Sequence, residues 1–95
     1  MAGYLVAHIT VTDPEGFQGY RDKVPALIES FGGRYLIRGG QAEAVEGDWS
    51  VPRLVVIEFP SVERAREFYN SPAYREILPL RLENSSGTLA FVEGV

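Results

Sequence analysis

Three residues of this chain stand out by type and setting: His8, Arg38 and Glu58. Glu58 interrupts the otherwise apolar run Leu54-Val55-Val56-Ile57-Glu58-Phe59. A carboxylate in such a run must be paired, hydrogen-bonded or protonated. Strand parity places Leu54, Val56 and Glu58 on one face and Val55, Ile57 and Phe59 on the other. Arg38 precedes Gly39-Gly40, where missing side chains leave room for a ligand or a partner's backbone. Arg34 and Arg38 are expected on one strand face with Leu36 between them, which puts Arg38 within reach of Glu58. His, Arg and Glu in a largely apolar cavity are suited to binding a small acid or moving a proton. The same three side chains also suit an internal ion-pair network or a salt bridge at a dimer interface.

Other residue types add less. His8 is the only histidine, so it cannot build a His-rich metal site, and no second ligand stands at helical spacing to it. A hydrogen-bonded histidine on a sheet face is the simpler reading than a haem ligand. Trp49 sits in Gly47-Asp48-Trp49-Ser50, a turn in which so large a ring must lid a cavity mouth or pack on another subunit. Tyr69, Ser71 and Tyr74 gather at a break between helical segments. Ser71 is expected as an N-cap and the tyrosines as core or rim. Arg75 and Arg81 either neutralise Glu76 and Glu83 or line a pocket edge, and Arg53 is read as a surface or interface charge.

The elements that must position these residues follow from periodicity. Gly3 to Thr12 alternates as a strand, with Leu5, Ala7, Ile9 and Val11 on one face and Tyr4, Val6, His8 and Thr10 on the other. Asp13-Pro14-Glu15 is a helix start: a cap acceptor, a proline at the first position and a carboxylate in the first turn. Phe17, Tyr20, Val24, Leu27 and Phe31 form its apolar stripe. Pro25 predicts a bend or break near Tyr20–Arg21, and Gly32-Gly33 ends the helix. A second strand starts at Arg34, bends or bulges at Gly39-Gly40, and continues as an arm over residues 41–46. Arg53 to Phe59 is the third strand. Pro60-Ser61 caps a second helix with Val62, Ala65, Phe68 and Tyr69 inward. Asn70-Ser71-Pro72 restarts a short helix that ends near Pro79 or slightly beyond. Asn84 to Gly87 reads as a loop and Thr88 to Glu93 as the last strand. The order β-α-β-β-α-β is the ferredoxin-like arrangement, an α+β fold with both helices on one face of a four-stranded antiparallel sheet.

The 95 residues are expected to form one domain, residues 1–95. With no cysteine, neither a disulfide nor a thiolate metal site is possible. A net charge of −4 with scattered basic residues argues against nucleic acid. No apolar run is long enough for a membrane span, and no secretory signal is visible, so a cytoplasmic protein is expected. The sheet itself poses a question. Leu54-Val55-Val56-Ile57 and Leu89-Ala90-Phe91-Val92 are apolar on both faces, whereas a sheet covered on one side alternates. No helix remains to cover the second face, so a second copy of the chain is expected there, as a face-to-face homodimer.

Two likenesses fail on inspection. Gly16-Phe17-Gln18-Gly19-Tyr20-Arg21 is faintly similar to a phosphate-binding loop, but Asp13-Pro14 places it inside a helix. RNA-binding sheets of this topology carry aromatic residues on the third strand, and Arg53 to Phe59 lacks that platform. No glycine-rich nucleotide loop, nucleophile motif or metal spacing is present.

Several segments together resemble one bacterial family. They are Gly32 to Gly40, Glu46-Gly47-Asp48-Trp49, Pro52 to Ser61, Ala65, Phe68-Tyr69, Ser71-Pro72-Ala73-Tyr74 and Leu80-Arg81. The chain resembles the domain of unknown function 1330 family from about Tyr4 to Glu93. That resemblance implies a ferredoxin-like subunit pairing as a dimeric α/β barrel, with no established activity. Related barrels include cofactor-free monooxygenases, small-molecule isomerases and haem-handling enzymes, a kinship of fold only. The expected function is a homodimer with a pocket for a small acidic or polar molecule, without metal or nucleotide cofactor. His8, Arg38, Glu58, Trp49 and Tyr69 are its candidate ligand-binding residues. A regulatory, ligand-sensing or assembly module is the alternative, as is a monooxygenase- or isomerase-like enzyme by fold analogy.

Overall fold

A computed structural model describes residues 1–50 and 53–95. Val51 and Pro52, the latter part of the family-like segment before the third strand, lie outside the described residues. The elements run β1 (Gly3–Val11), α1 (Pro14–Ser30), β2 (Arg34–Arg38), β3 (Leu54–Phe59), α2 (Val62–Asn70), α3 (Pro72–Asn84) and β4 (Ser85–Glu93). The strands form one antiparallel sheet in the order β2-β3-β1-β4. This is the expected α+β, ferredoxin-like subunit with β1 and β3 central, and the helices cover one face.

Local chemistry accounts for most boundaries. Asp13 caps α1 by accepting from the Gly16 N–H at 3.3 Å, and Ser61 caps α2 by accepting from Arg64 at 3.1 Å. Gly32 ends α1 at φ +79°, a backbone shape that costs glycine nothing. The core lies between the sheet and the helices. Leu5, Ala7 and Ile9 of β1 and Val55, Ile57 and Phe59 of β3 point into it, as the alternation predicts. Phe17, Val24 and Ile28 of α1, Ala65 and Phe68 of α2, and Tyr74, Ile77 and Leu78 of α3 meet them.

Several expectations change. Pro25 does not divide α1, which runs unbroken over residues 14–30. Burial of Val24 and Ile28 on either side holds it across the single lost hydrogen bond. Pro79 likewise lies inside α3, on its exposed side, while Ile77, Leu78 and Arg81 stay buried. The helix therefore continues to Asn84, and β4 begins at Ser85 instead of following a loop. Residues 41–46 form no strand, because β2 stops at Arg38.

The largest correction concerns the irregularity in β2. It lies between Tyr35 and Ile37 and not at Gly39-Gly40. Arg34 pairs with Glu58 and Tyr35 with Ile57, but Ile37 then pairs with Val56 and Arg38 with Val55. Leu36 is the extra residue. It reverses the parity of everything after it, so Arg34 and Arg38 face opposite sides of the sheet.

Candidate functional site

The proposed His8, Arg38 and Glu58 cluster does not assemble. Glu58 lies on the open face of the sheet, where its Oε1 accepts from Arg34 Nε at 2.8 Å and its Oε2 from the Tyr4 hydroxyl at 3.4 Å. Its partners are therefore Arg34 and Tyr4. His8 shares that face but sits opposite Leu54 and Thr88, whereas Glu58 is opposite Tyr4. Four strand residues separate the two positions, about 13 Å. Arg38 lies on the other face, with its guanidinium 4.6 Å from the Tyr35 ring centre. Trp49 is 57% exposed in its turn. Tyr69 is half-buried and packs its ring 5.5 Å from that of Tyr74 and 5.9 Å from that of Phe91.

A cavity of about 50 Å³ opens instead on the helix side of the sheet. That is room for roughly three or four waters. Its floor is Leu5, Ala7, Ile9, Val55 and Ile57, and α1 and α3 wall it with Phe17, Tyr20, Val24 and Tyr74. Four arginines, three of them from separate elements, line it: Arg21 of α1, Arg38 of β2, Arg53 just before β3 and Arg81 of α3. No Asp or Glu does. Arg38 is exposed and Arg21 and Arg53 are half-buried, so these three form the solvent side. Arg81 is only 7% exposed and forms the inner wall.

The α2–α3 joint sets the position of this inner wall. Ser71 donates to the Phe68 carbonyl at 2.8 Å and accepts from the Tyr74 N–H at 3.2 Å. It thereby ends α2 and starts α3 with one hydroxyl. Tyr74 comes in the first turn, with its ring 4.6 Å from that of Phe68. Arg81 follows two helical turns later on the same face. The Tyr74 hydroxyl lies 2.8 Å from that of Tyr20 on α1 and accepts from Arg81 Nε at 3.3 Å. Two phenols and a guanidinium thus form a buried polar chain along the cavity.

Burial dominates the electrostatics here. It pushes the ionisation of Tyr20 well above its ordinary value, and Tyr74 adds to that while Arg81 opposes it. Tyr35 is also raised by burial, against the pull of Arg38 and Arg53. For Arg81, burial works against the charge, yet the electrostatic pull and hydrogen bond of Tyr74, with the pull of Tyr20 and Tyr69, outweigh it and favour the charged guanidinium. Both salt bridges among the described residues lie elsewhere, Arg34 with Glu58 and Arg64 with Glu67. Arg81 therefore has no carboxylate partner among them. The described residues bring no three His, Asp or Glu side chains together as a metal site, and no helix is long and apolar enough to cross a membrane.

Sequence reasoning singled out Arg38 and Tyr69 near this cavity but missed the Tyr20, Tyr74 and Arg81 chain as a unit. A signal was available. Tyr74, Ile77, Leu78 and Arg81 fall at i, i+3, i+4 and i+7, which places a cation on the inward stripe of a helix.

The fold recurs among solved structures. The RPA0582 protein of unknown function from Rhodopseudomonas palustris superposes with a TM-score of 0.75 at 18% identity, over 99% of this chain and 82% of that one. SnoaB, a cofactor-independent oxygenase from Streptomyces nogalater, gives 0.67 at 13% identity, over 99% and 93%. An antibiotic biosynthesis monooxygenase gives 0.52 at 15% identity, over 100% and 99%. At these identities the likeness is one of fold, that of the ferredoxin-like proteins that form dimeric α/β barrels. A comparison with curated proteins found no match. The pattern from Gly32 to Arg81 that resembled a family is matched by a family model spanning residues 2–95, and the chain belongs to that family, described as Domain of unknown function (DUF1330).

Proposed function

We propose that this protein is a homodimer that binds a small organic molecule in the cavity between the sheet and helices α1 and α3. The observation that carries the reading is the lining of that cavity. A core selected for stability alone is filled to near-crystalline density with apolar side chains. Here an apolar floor is left open beneath a buried guanidinium and two phenols, with three further arginines toward solvent. An apolar body with a few convergent polar groups is the usual make-up of a ligand site.

The homodimer rests on the other face. Val6 and His8 of β1, Leu54 and Val56 of β3, Ile37 of β2 and Val92 of β4 lie on it, all only partly buried or exposed. A second copy of the same sheet supplies a matching apolar surface. Lack of cysteine suits a cytoplasmic setting.

Binding is tested by thermal unfolding of the protein against a panel of small acids, amides and alcohols. A ligand of the folded state raises the melting temperature with concentration. At least one compound class is expected to do so, and Ala7→Leu, which fills the floor, is expected to cancel the shift. A panel without any concentration-dependent stabilisation overturns the binding reading.

A further inference from the structure

We infer that the ligand of this cavity is a carboxylic acid, held as its carboxylate by the Arg81 guanidinium and one hydroxyl of the Tyr20–Tyr74 pair. The inference rests on the binding reading above and deepens it by naming the ligand class. It comes from counting hydrogen-bond donors.

A guanidinium carries five N–H donors and no acceptor. Arg81 uses its Nε–H on the Tyr74 oxygen. Its Nη groups have no hydrogen-bond or ion-pair partner among the described residues, which leaves four N–H. The two phenols share one hydrogen bond of 2.8 Å, and either can donate it. Whichever does, the other O–H is left over. The cluster therefore leaves four N–H and one O–H without a partner among the described residues, beside a cavity that no carboxylate of those residues lines. The Tyr20 phenol and the guanidinium keep their protons, since burial raises the first and the neighbouring tyrosines support the charge of the second.

A group that only accepts, carries one negative charge and is planar answers that surplus. A carboxylate does so with two parallel bonds to the guanidinium and a third from the phenol. A neutral carbonyl accepts fewer bonds and leaves a buried charge uncompensated. The apolar part of the acid then lies on Leu5, Ala7, Ile9, Val55 and Ile57. Arg21, Arg38 and Arg53 on the solvent side draw the anion inward in a protein whose net charge is otherwise −4.

The test is calorimetric titration with propionate, isobutyrate and benzoate, each against its own primary amide. Each acid is expected to bind roughly 10- to 100-fold tighter than its amide, the range of a charge-assisted hydrogen-bond set. Arg81→Met is expected to bring acid binding down to the level of the amide and so remove that preference. Arg38→Met removes a solvent-side charge and is expected to weaken acid binding only a few-fold. Should Arg81→Met fail to fold, the Arg81 Nε–H resonance of the wild-type protein gives the answer. It is expected to shift with benzoate and to stay in place with benzamide. Amides binding as well as acids, or Arg38→Met abolishing the preference that Arg81→Met retains, overturns the acid assignment alone. If neither acids nor amides bind, the binding reading falls with it.

Discussion

Arg81 and Tyr20 are the residues where stability and the candidate site pull in different directions. A buried cation without a carboxylate costs folding energy that a hydrocarbon would not. Arg81→Met is therefore expected to keep or raise stability, by about 1 kcal/mol or more in chemical denaturation, even as it loses acid binding. A marked loss would mean that the guanidinium is there to hold α3 in place. Tyr20 gives a pH signature. Its folded-state ionisation is raised above the ordinary value of 10.0, first by burial. Above that value the unfolded chain releases the proton while the folded chain retains it. The unfolded state then binds fewer protons, so stability falls as pH rises, whereas below that value the contribution is fully present. Denaturation midpoints measured from about pH 8 to about pH 11 should decline above about pH 10. Tyr20→Phe should shrink the decline, and the remainder belongs in part to Tyr35, which burial raises as well. The same variant should lose about 1 kcal/mol at neutral pH with the Tyr74 hydrogen bond. An unchanged alkaline slope in Tyr20→Phe would show that this phenol titrates as if exposed.

At the scale of elements, close approach of backbones fixes how the layers meet. A Cβ on Gly3 would lie 2.3 Å from the Val62 backbone nitrogen, where α2 begins above β1. Backbone cannot yield as a side chain can, so Gly3→Ala should destabilise by about 2–3 kcal/mol. Gly19→Ala is the useful contrast. Its Cβ would meet only the flexible Leu80 Cδ1 at 3.3 Å, and the helix gains about 1 kcal/mol from alanine, so urea unfolding should show little net change. If the two substitutions cost the same, the α2–β1 contact is looser than described. Much of this level was legible in the sequence. Strict alternation in β1 and β3 assigned their faces, and Asp13-Pro14, Ser61 and Ser71-Pro72 marked three helix starts by their caps. Gly16 and Gly19, which suggested a phosphate loop, belong to α1 and are the points where it approaches Asn84 and Leu80 of α3. The bulge at Leu36 was not legible, because a bulge inserts one ordinary residue and leaves no compositional mark. Gly39-Gly40 carried the expected mark and lies just past the end of the strand. That single residue moved Arg38 from Glu58 to the cavity. Arg81 was left between neutralising a nearby glutamate and lining a pocket edge because arginine is seldom buried, and only its spacing from Tyr74 favoured the pocket.

The whole molecule is a slab of 39 × 37 × 16 Å, one sheet with one layer of helices. Its surface is 6017 Å², whereas a compact protein of 10.5 kDa exposes about 5,400 Å². The excess, about 600 Å², approaches the area of about 800 Å² that each partner contributes to a standard interface. Part of it belongs to the extended segment after β2, where Val45 and Trp49 are exposed. The rest fits the open sheet face, where Val6 stands opposite Val56 and Ala90 in the middle of the four strands. Pairing two such faces would bury Val6 near a two-fold axis, so one substitution would meet its own symmetric copy. Val6→Lys places a charge there that an isolated subunit tolerates, since the side chain can reach water. In the dimer the same charge would be buried beside its like. Wild-type protein at micromolar concentration should therefore sediment as a dimer, with a melting temperature that rises with protein concentration. Val6→Lys should sediment as a monomer or unfold at lower temperature with that concentration dependence gone. A wild-type monomer would leave the apolar face without the partner argued for it, while leaving the cavity on the opposite face untouched, because no residue lining that cavity lies on the open side of the sheet.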